Sequence, residues 1–311
     1  MNKHHCSETD CDLRTGCQRG ELYPKDCQYY ESSEDATTSK ADYDSPIPWH
    51  GSVLGLADLQ HVAARGRPHL IGLVGTHNSG KTTFLTSVYL KLFQGARIPD
   101  KRFSGSFSLS AWESLANNLR YPNETPAMFP RHTPNTEDRV PGLLHLAFRN
   151  SRNRLEDYLF TDAPGEWFSN WSTNRSAENA KGARWIAKFS DSILFFIDCE
   201  ELAGENVGTT RNSITQLAQR LADEVEDKRV LIIWSKHDIQ LDPIIHEQIS
   251  TRLADYLPAA KHFNISVYED DHLGIQTVAK ELLGRLDFQG TRITIKVPIR
   301  ADNPFFTFRS V

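Results

Sequence analysis

The chain has 311 residues, of which 39 % are apolar and 24 % are charged, and its formal net charge is −5. This balance fits one large globular domain with appendages, and the negative charge argues against bulk binding of nucleic acid or of an anionic membrane. No apolar run is long enough to span a bilayer, and the first ten residues, MNKHHCSETD, lack the apolar core of a secretory signal, so we expect a cytoplasmic protein.

The first 29 residues form a polar segment that is rich in cysteine. Its four cysteines are Cys6, Cys11, Cys17 and Cys27, with the spacing C-x4-C-x5-C-x9-C. Thiolates in a short segment with little apolar core predict a structural Zn²⁺ site, because the metal replaces the missing core. His4 or His5 is an alternative ligand. Free thiols in a disordered tail, or disulfides, are the alternatives to a metal site.

Residues 30–51 are predicted to be a linker, because ESSEDATTSKADYDS is acidic, rich in Ser and Thr, and free of large aliphatic side chains. A main domain is predicted over residues 52–290. It begins with a short helix in SVLGLADLQHVAARG and a buried strand, HLIGLVG. KTTFLTSVYLKLFQGA then predicts a helix that stops at Gly95. Residues 96–140 lack a regular pattern, apart from a helix around 110–119.

The remainder of the domain alternates strands with helices. Residues 143–150 and 154–162 predict a hairpin, and further strands are predicted at 192–198, 229–234 and 263–267. Helices are predicted at 177–189, 212–225 and 274–286, with another opened by Asp242 and Pro243. This order predicts an α/β fold, with a mostly parallel six-stranded sheet, helices on both faces and one antiparallel hairpin strand.

Residues 291–311 are predicted to form an appendage to this domain. TRITIKV alternates apolar and polar residues like an edge strand, and the last residues carry Phe305, Phe306 and Phe308. Such an aromatic tail is expected to dock on its own domain or on a partner.

A phosphate-binding loop is predicted at residues 75–82. GTHNSGKT matches G-x-x-x-x-G-K-[ST] and lies between a predicted strand and a predicted helix, which is the context that this motif requires. Lys81 would neutralise the β- and γ-phosphates, and the Thr82 hydroxyl would ligate Mg²⁺. The predicted phosphate-binding residues are Gly75, Asn78, Ser79, Gly80, Lys81, Thr82 and Thr83.

A base-reading loop is predicted in IIWSKHDI, where SKHD resembles the guanine motif [NT]-K-x-D. Asp238 can accept from both N1–H and N2–H₂ of guanine, a pair of donors that adenine lacks, and the stem of Lys236 would lie along the base. Ser235 departs from the motif, because a hydroxyl does not replace all that an asparagine supplies. Further on, Ser266 and Val267 resemble the last guanine loop, whose backbone N–H meets the base oxygen.

The order of GTHNSGKT, TDAPG, SKHD and NIS resembles the TRAFAC class, the translation-factor-like and Ras-like P-loop GTPases, over about residues 69–286. PGLLHLAFRN, LEDYLFTDAPGEWF and GARWIAKFSDSILFFIDCEEL resemble a bacterial group of double-GTPases found in GTPase-centred conflict systems. The resemblance implies GTP and GDP as ligands and a role in defence. It also implies a protein partner, for which a second GTPase encoded nearby is one candidate.

The same resemblance implies further site residues. Asp162 would hold Mg²⁺ through water, and Gly165 would give its N–H to the γ-phosphate. A switch threonine that binds Mg²⁺ and senses the γ-phosphate is expected before the hairpin, and Thr133 is preferred over Thr136. No arginine finger is assigned: the candidates are Arg131, Arg139 and Arg175.

Glu166 follows the D-x-x-G glycine in TDAPGEW, where the class positions its attacking water. A carboxylate can accept a proton from that water, but it places a negative charge beside the γ-phosphate. The sequence therefore predicts a Mg²⁺-dependent GTPase switch that is slow without a partner, with Lys81, Glu166 and Thr133 as its catalytic residues. GTP would order residues 131–140 and 165–175. The alternatives are a scaffold that binds GTP with negligible turnover, and an ATPase.

Overall fold

The structure is a computed structural model that describes residues 53–120, 141–225, 228–268 and 273–284, together with two short strands near the N-terminus. The chain divides into two units, Met1–Pro48 and Trp49–Val311. In the first unit, β1 (His5–Cys6) pairs antiparallel with β2 (Tyr30–Glu31). Cys11, Cys17 and Cys27 lie outside the described residues, as do residues 291–311, so the zinc site and the C-terminal strand and tail stay predictions.

The second unit alternates strands and helices. After a 3₁₀ turn (Leu56–Asp58), its first elements are α1 (Leu59–Ala63), β3 (His69–Val74), α2 (Lys81–Phe93), β4 (Lys101–Gly105), α3 (Leu109–Arg120), β5 (Gly142–Asn150) and β6 (Leu155–Asp162). The next are α4 (Gly165–Thr173), a 3₁₀ turn (Glu178–Ala180), α5 (Lys181–Phe189), β7 (Ser192–Asp198), α6 (Cys199–Ala203) and α7 (Val207–Ala222). The last are β8 (Arg229–Ser235), α8 (Pro243–Tyr256), β9 (Lys261–Ile265) and α9 (Leu273–Gly284). No helix in the described ranges has the length and hydropathy of a membrane span.

The described strands of this unit form one seven-stranded sheet in the order β4-β5-β6-β3-β7-β8-β9. β5 runs antiparallel to its neighbours β4 and β6, and the other pairings are parallel. The predicted α/β class and the antiparallel hairpin strand are confirmed, but the predicted number of six strands is wrong. The additional strand, β4, lies within residues 96–140 and has no apolar alternation, because it is an edge strand whose three central residues are exposed.

Helices cover both faces of the sheet, as predicted. Side chains alternate between the faces of a strand, so in β7 Leu194 and Phe196 pack on one face while Ile193, Phe195 and Ile197 pack on the other. Every residue of β7 is buried, which explains its continuous apolar sequence.

Two helices were not predicted from the sequence. α4 begins at Gly165, where a switch loop was expected, and it buries Trp167, Phe168 and Trp171. α6 follows β7 directly, and the Asp198 side chain caps it. Both helices start at the carboxyl edge of the sheet, so their first turns face the loops described below.

Candidate functional site

The predicted motifs lie together at one edge of the sheet. β3, β6, β7, β8 and β9 run parallel, so their carboxyl ends share that edge, where ligands bind in open α/β sheets. The strand register aligns Asp198 with Ser235, and Ser235 with Ile265. Between the loops is a cavity of about 830 Å³. Its lining includes Asn78, Ser79, Gly80, Lys81, Thr82, Thr83, Gly165, Ser235, Lys236, Asp238, Ser266 and Val267.

The loop after β3 bends into the shape of an anion cradle. Asn78 and Gly80 have positive φ angles of 60° and 84°, which turn the backbone toward the first turn of α2. Gly75 is needed for packing, because a Cβ there would lie 2.6 Å from Ser79 Oγ. Ser79 is fully buried and donates its hydroxyl to the carbonyl of Thr76 at 2.9 Å.

Lys81 is a buried cation hydrogen-bonded to uncharged oxygens. Its Nζ donates to the carbonyl oxygens of Gly75 at 2.9 Å and Thr76 at 2.8 Å. Burial lowers the pKa of Lys81 to about 8, while the negative charges of Asp162 and Glu166, among others, oppose that shift. A buried ammonium held by carbonyl groups provides charge for an anion in the cavity.

The first helical turn of α2 meets the end of β6 through two oxygen-bearing side chains. Thr82 Oγ1 lies 3.3 Å from Asp162 Oδ1. In the described part of the chain, no group of three His, Cys, Asp or Glu side chains could hold a metal ion. A hydroxyl beside a carboxylate nevertheless suits Mg²⁺, which prefers oxygen ligands and takes others from phosphates and water.

Gly165 lies against the backbone of the phosphate loop. A Cβ at Gly165 would be 2.2 Å from the backbone nitrogen of His77, so a side chain does not fit there. Gly165 is also the first residue of α4. The amide ends of α2 and α4 therefore border the same cavity, and both favour a negatively charged ligand.

Glu166 is in the first turn of α4 and lines the cavity. Its Oε1 lies 3.7 Å from Nε2 of His77, and both side chains are about half exposed. The carboxylate faces the phosphate loop, and its neighbour there is a histidine. A protonated His77 would offset part of the negative charge that Glu166 brings to this end of the cavity.

At the other end of the cavity, the loops that follow β8 and β9 meet at Asp238. Ser266 Oγ donates to Asp238 Oδ1 at 2.5 Å, and the same hydroxyl oxygen accepts from the backbone N–H of Tyr268 at 3.1 Å. The hydroxyl of Ser235 donates to the carbonyl of Ile197 at 3.0 Å. The apolar residues that line the cavity near these loops are Ile239, Ile265, Val267 and Ile275. This half of the cavity presents the fixed carboxylate of Asp238 beside apolar surface. Such a surface suits a planar aromatic ring that has hydrogen-bond donors on its edge.

The structure brings together nearly all of the site residues predicted in its described ranges. Gly75 and Asp162 do not line the cavity: the Gly75 carbonyl accepts from Lys81, and Asp162 lies beside Thr82. Arg175 pairs instead with Asp223 at 2.9 Å, on the surface. Thr133 and Thr136 lie outside the described residues, as do Arg131 and Arg139, so their roles stay predictions.

Of the cavity-lining residues that were not predicted as site residues, three carry polar side chains: His77, Glu200 and Tyr268. His77 occupies a variable position of its motif, and Tyr268 follows the last predicted loop by one residue. Glu200 had a usable signal. Apolar β7 ends in Asp198 at the carboxyl edge, two residues before Glu200, just as β6 ends in Asp162.

Comparison with known proteins finds a matching family. A family model described as Double-GTPase 2 matches residues 69–286. No curated protein sequence matches the chain significantly.

The solved structures that match this chain include the following two. A nucleolar GTP-binding protein 1 from Plasmodium falciparum is 17 % identical, covers 70 % of this chain and 87 % of its own, and superposes with a TM-score of 0.39. The Roco2 RocCORdC protein of Methanosarcina barkeri, bound to GDP, is 15 % identical, with 70 % and 50 % covered and a TM-score of 0.35. These structural likenesses are too distant to bear on function, whereas the family match spans more than half of the chain.

Proposed function

The chain belongs to the Double-GTPase 2 family of P-loop GTPases, and from this premise we propose that it is a Mg²⁺-dependent molecular switch that hydrolyses GTP slowly without a partner. One observation carries the proposal: Asp238, held by Ser266, and the buried cation of Lys81 line the same cavity. A carboxylate that accepts from N1–H and N2–H₂ selects guanine, and a buried ammonium binds phosphate.

Mg²⁺ fits the oxygen pair formed by Thr82 and Asp162. The hydroxyl of Thr82 would ligate the ion directly, and Asp162 would hold one of its waters. When bound, the metal neutralises charge on the phosphates. The chain itself supplies Lys81, the amide ends of α2 and α4, and the close approach of Gly165 to the phosphate loop.

The proposed slow hydrolysis follows from Glu166. Its carboxylate can orient the attacking water or accept a proton from it, yet its charge repels the γ-phosphate. His77 is 3.7 Å away and reduces this repulsion when protonated. A partner that closes over the pair would supply the remaining positive charge and exclude water.

A second candidate function is a scaffold that binds GTP with negligible turnover. The position and exposure of Glu166 favour this scaffold. Its carboxylate is about half exposed, and it stands where the class has a water-positioning side chain. In either case we propose a cytoplasmic protein in a bacterial conflict or defence system, with a nearby-encoded protein as partner. Multiple turnover with that partner supports the switch, whereas unhydrolysed GTP in stoichiometric amount supports the scaffold.

Residues 1–29 are proposed to be a zinc module that docks partners. The spacing of its four cysteines supports this, and so does the pairing of Cys6 in β1 with Tyr30 in β2. This pairing joins the two ends of the segment that contains the other three cysteines. A metal held there would stabilise a unit with little apolar core.

The base specificity is tested most directly by thermal stability. GTP with Mg²⁺ should raise the melting temperature of the protein, and ATP with Mg²⁺ at the same concentration should not, because ligands stabilise only the state that they bind. GDP should also stabilise the protein. Equal stabilisation by ATP would refute the guanine assignment, and no stabilisation by any nucleotide would refute nucleotide binding.

The affinity for GTP should depend on pH through Lys81. In the empty site burial lowers the pKa of Lys81 to about 8, and a bound phosphate favours the charged amine, so binding above that pH takes up a proton. Affinity should therefore be highest below pH 8 and should fall by up to about tenfold per pH unit above it. Titration calorimetry at pH 7 and pH 9, in two buffers of different ionisation enthalpy, measures both the affinity and the uptake. If GTP affinity is the same at pH 7 and pH 9 and no proton is taken up on binding, the dependence on Lys81 is contradicted.

A further inference from the structure

Lys236 is held between two carboxylates at the edge of the cavity. Its Nζ lies 2.7 Å from Asp198 Oδ2 and 2.7 Å from Glu200 Oε2. Burial by itself would lower the pKa of Lys236, but the hydrogen bonds to Asp198 and Glu200 outweigh it and raise the pKa. The ammonium therefore stays charged, and its position is set by residues of β7 and α6.

Asp198 uses its two oxygens for different tasks. Oδ1 caps α6 by accepting from the backbone N–H of Glu200 at 2.9 Å and of Glu201 at 3.4 Å. Oδ2 accepts from Lys236. The Asp198 side chain is only 1 % exposed, so its charge requires a partner, and Lys236 is that partner. The lysine is thereby tied to the first turn of a helix.

The backbone of Lys236 is also unusual. Its φ angle is +54°, a left-handed conformation that is unfavourable for a residue with a side chain. The backbone N–H of Ile239 donates to the carbonyl of Lys236 at 3.0 Å, and that of His237 donates to the carbonyl of Ile265 at 3.1 Å. Asp238 lies within this turn. The conformation of Lys236 therefore helps to set the direction in which Asp238 enters the cavity.

Ser235, the residue before Lys236, also connects the base-reading loop to β7. Ser235 takes the place of the asparagine or threonine of the motif, and its hydroxyl bonds to the carbonyl of Ile197 at the end of β7. The ion pairs of Lys236 extend this attachment, since they also lead to the end of β7 and to α6. The base-reading loop is thus anchored to the β7–α6 junction, through side chains 36–38 residues apart in sequence.

We propose that Asp198 and Glu200 are positioning residues for guanine recognition. Together they fix Lys236, so that its aliphatic stem lies along the base and Asp238 keeps its alignment with the base edge. This inference rests on the proposed function, because it assumes that the cavity holds a guanine nucleotide. Asp198 has the larger role because it is buried, whereas Glu200 is mostly exposed.

The test is Asp198→Asn, a variant that retains an oxygen to cap α6 and loses the charge that holds Lys236. Dissociation constants for GTP and ITP would be measured by titration calorimetry, with Mg²⁺ present. ITP lacks the 2-amino group, so the ratio of the two constants reports the alignment of Asp238 with the base. We expect GTP affinity to fall about tenfold and the preference for GTP over ITP to fall by a similar factor.

Two comparisons separate positioning from a general structural effect. Glu205→Gln removes one exposed negative charge just beyond α6 and should leave both constants unchanged. Lys236→Met keeps an aliphatic stem and loses the ammonium. If Asp198 acts through Lys236, the double variant that combines Asp198→Asn with Lys236→Met should prefer GTP over ITP by the same factor as Lys236→Met alone.

The outcomes distinguish this inference from the proposed function. If the wild type binds GTP and prefers it to ITP, but Asp198→Asn keeps that preference, the positioning role is refuted while the GTPase assignment stands. If Glu205→Gln loses the preference for GTP over ITP to the same extent, the positioning role is also refuted. If the wild type binds no GTP, or does not distinguish it from ATP, the proposed function fails and this inference fails with it.

Discussion

Lys81→Ala is expected to abolish GTP binding and to leave the domain folded. Lys81 is buried and hydrogen-bonded to carbonyl groups of its own loop, so its charge serves the ligand and contributes little to the core. Loss of a charge-assisted contact to two phosphates should weaken GTP affinity by at least about 100-fold. Titration of the purified variant with GTP and Mg²⁺ measures this effect.

The folded state of this variant should be as stable as the empty wild type, or more stable. Burial lowers the pKa of Lys81, which means that the empty site disfavours the charge that the variant removes. Lys91→Ala, in the same helix α2, is the matched control and should bind GTP normally. Wild-type GTP affinity in a folded Lys81→Ala protein would disprove the assignment of the phosphate loop.

Glu166→Ala should lower the turnover of GTP by about 100-fold or less, at the lower end of general acid–base contributions, while GTP affinity changes only a few-fold. The carboxylate lines the cavity beside His77, at the end where Lys81 and Gly165 lie. Single-turnover measurements, with and without the proposed nearby-encoded partner, separate the chemical step from product release.

Glu166→Gln shows which role the carboxylate has. An amide can orient water but cannot accept its proton, and it removes the charge beside the γ-phosphate. Turnover above that of the wild type would indicate that repulsion dominates, whereas turnover as low as that of Glu166→Ala would indicate a general base. Equal turnover in the wild type and in Glu166→Ala would leave Glu166 a structural residue of α4.

Much of the fold could be predicted from local pattern. The strand HLIGLVG, the loop GTHNSGKT and the apolar face of α2 follow one another in sequence, so their periodicity and glycines are sufficient to predict their form. Asp242 caps α8 by accepting from the N–H of Ile244 at 2.8 Å, as the Asp-Pro pair predicts. β4 escaped prediction because an edge strand with exposed central residues carries no apolar pattern.

The sequence by itself determined the family, the order of the motifs, and the residue types that phosphate and guanine require. These properties depend on neighbouring residues and on the chemistry of single side chains. Only the tertiary structure decided that Lys236 is held by Asp198 and Glu200, and that Glu166 faces His77. Those contacts join residues 36 to 89 positions apart. They form because parallel strands bring their carboxyl ends to one edge of the sheet, an arrangement that long-range pairing creates and that no local periodicity encodes.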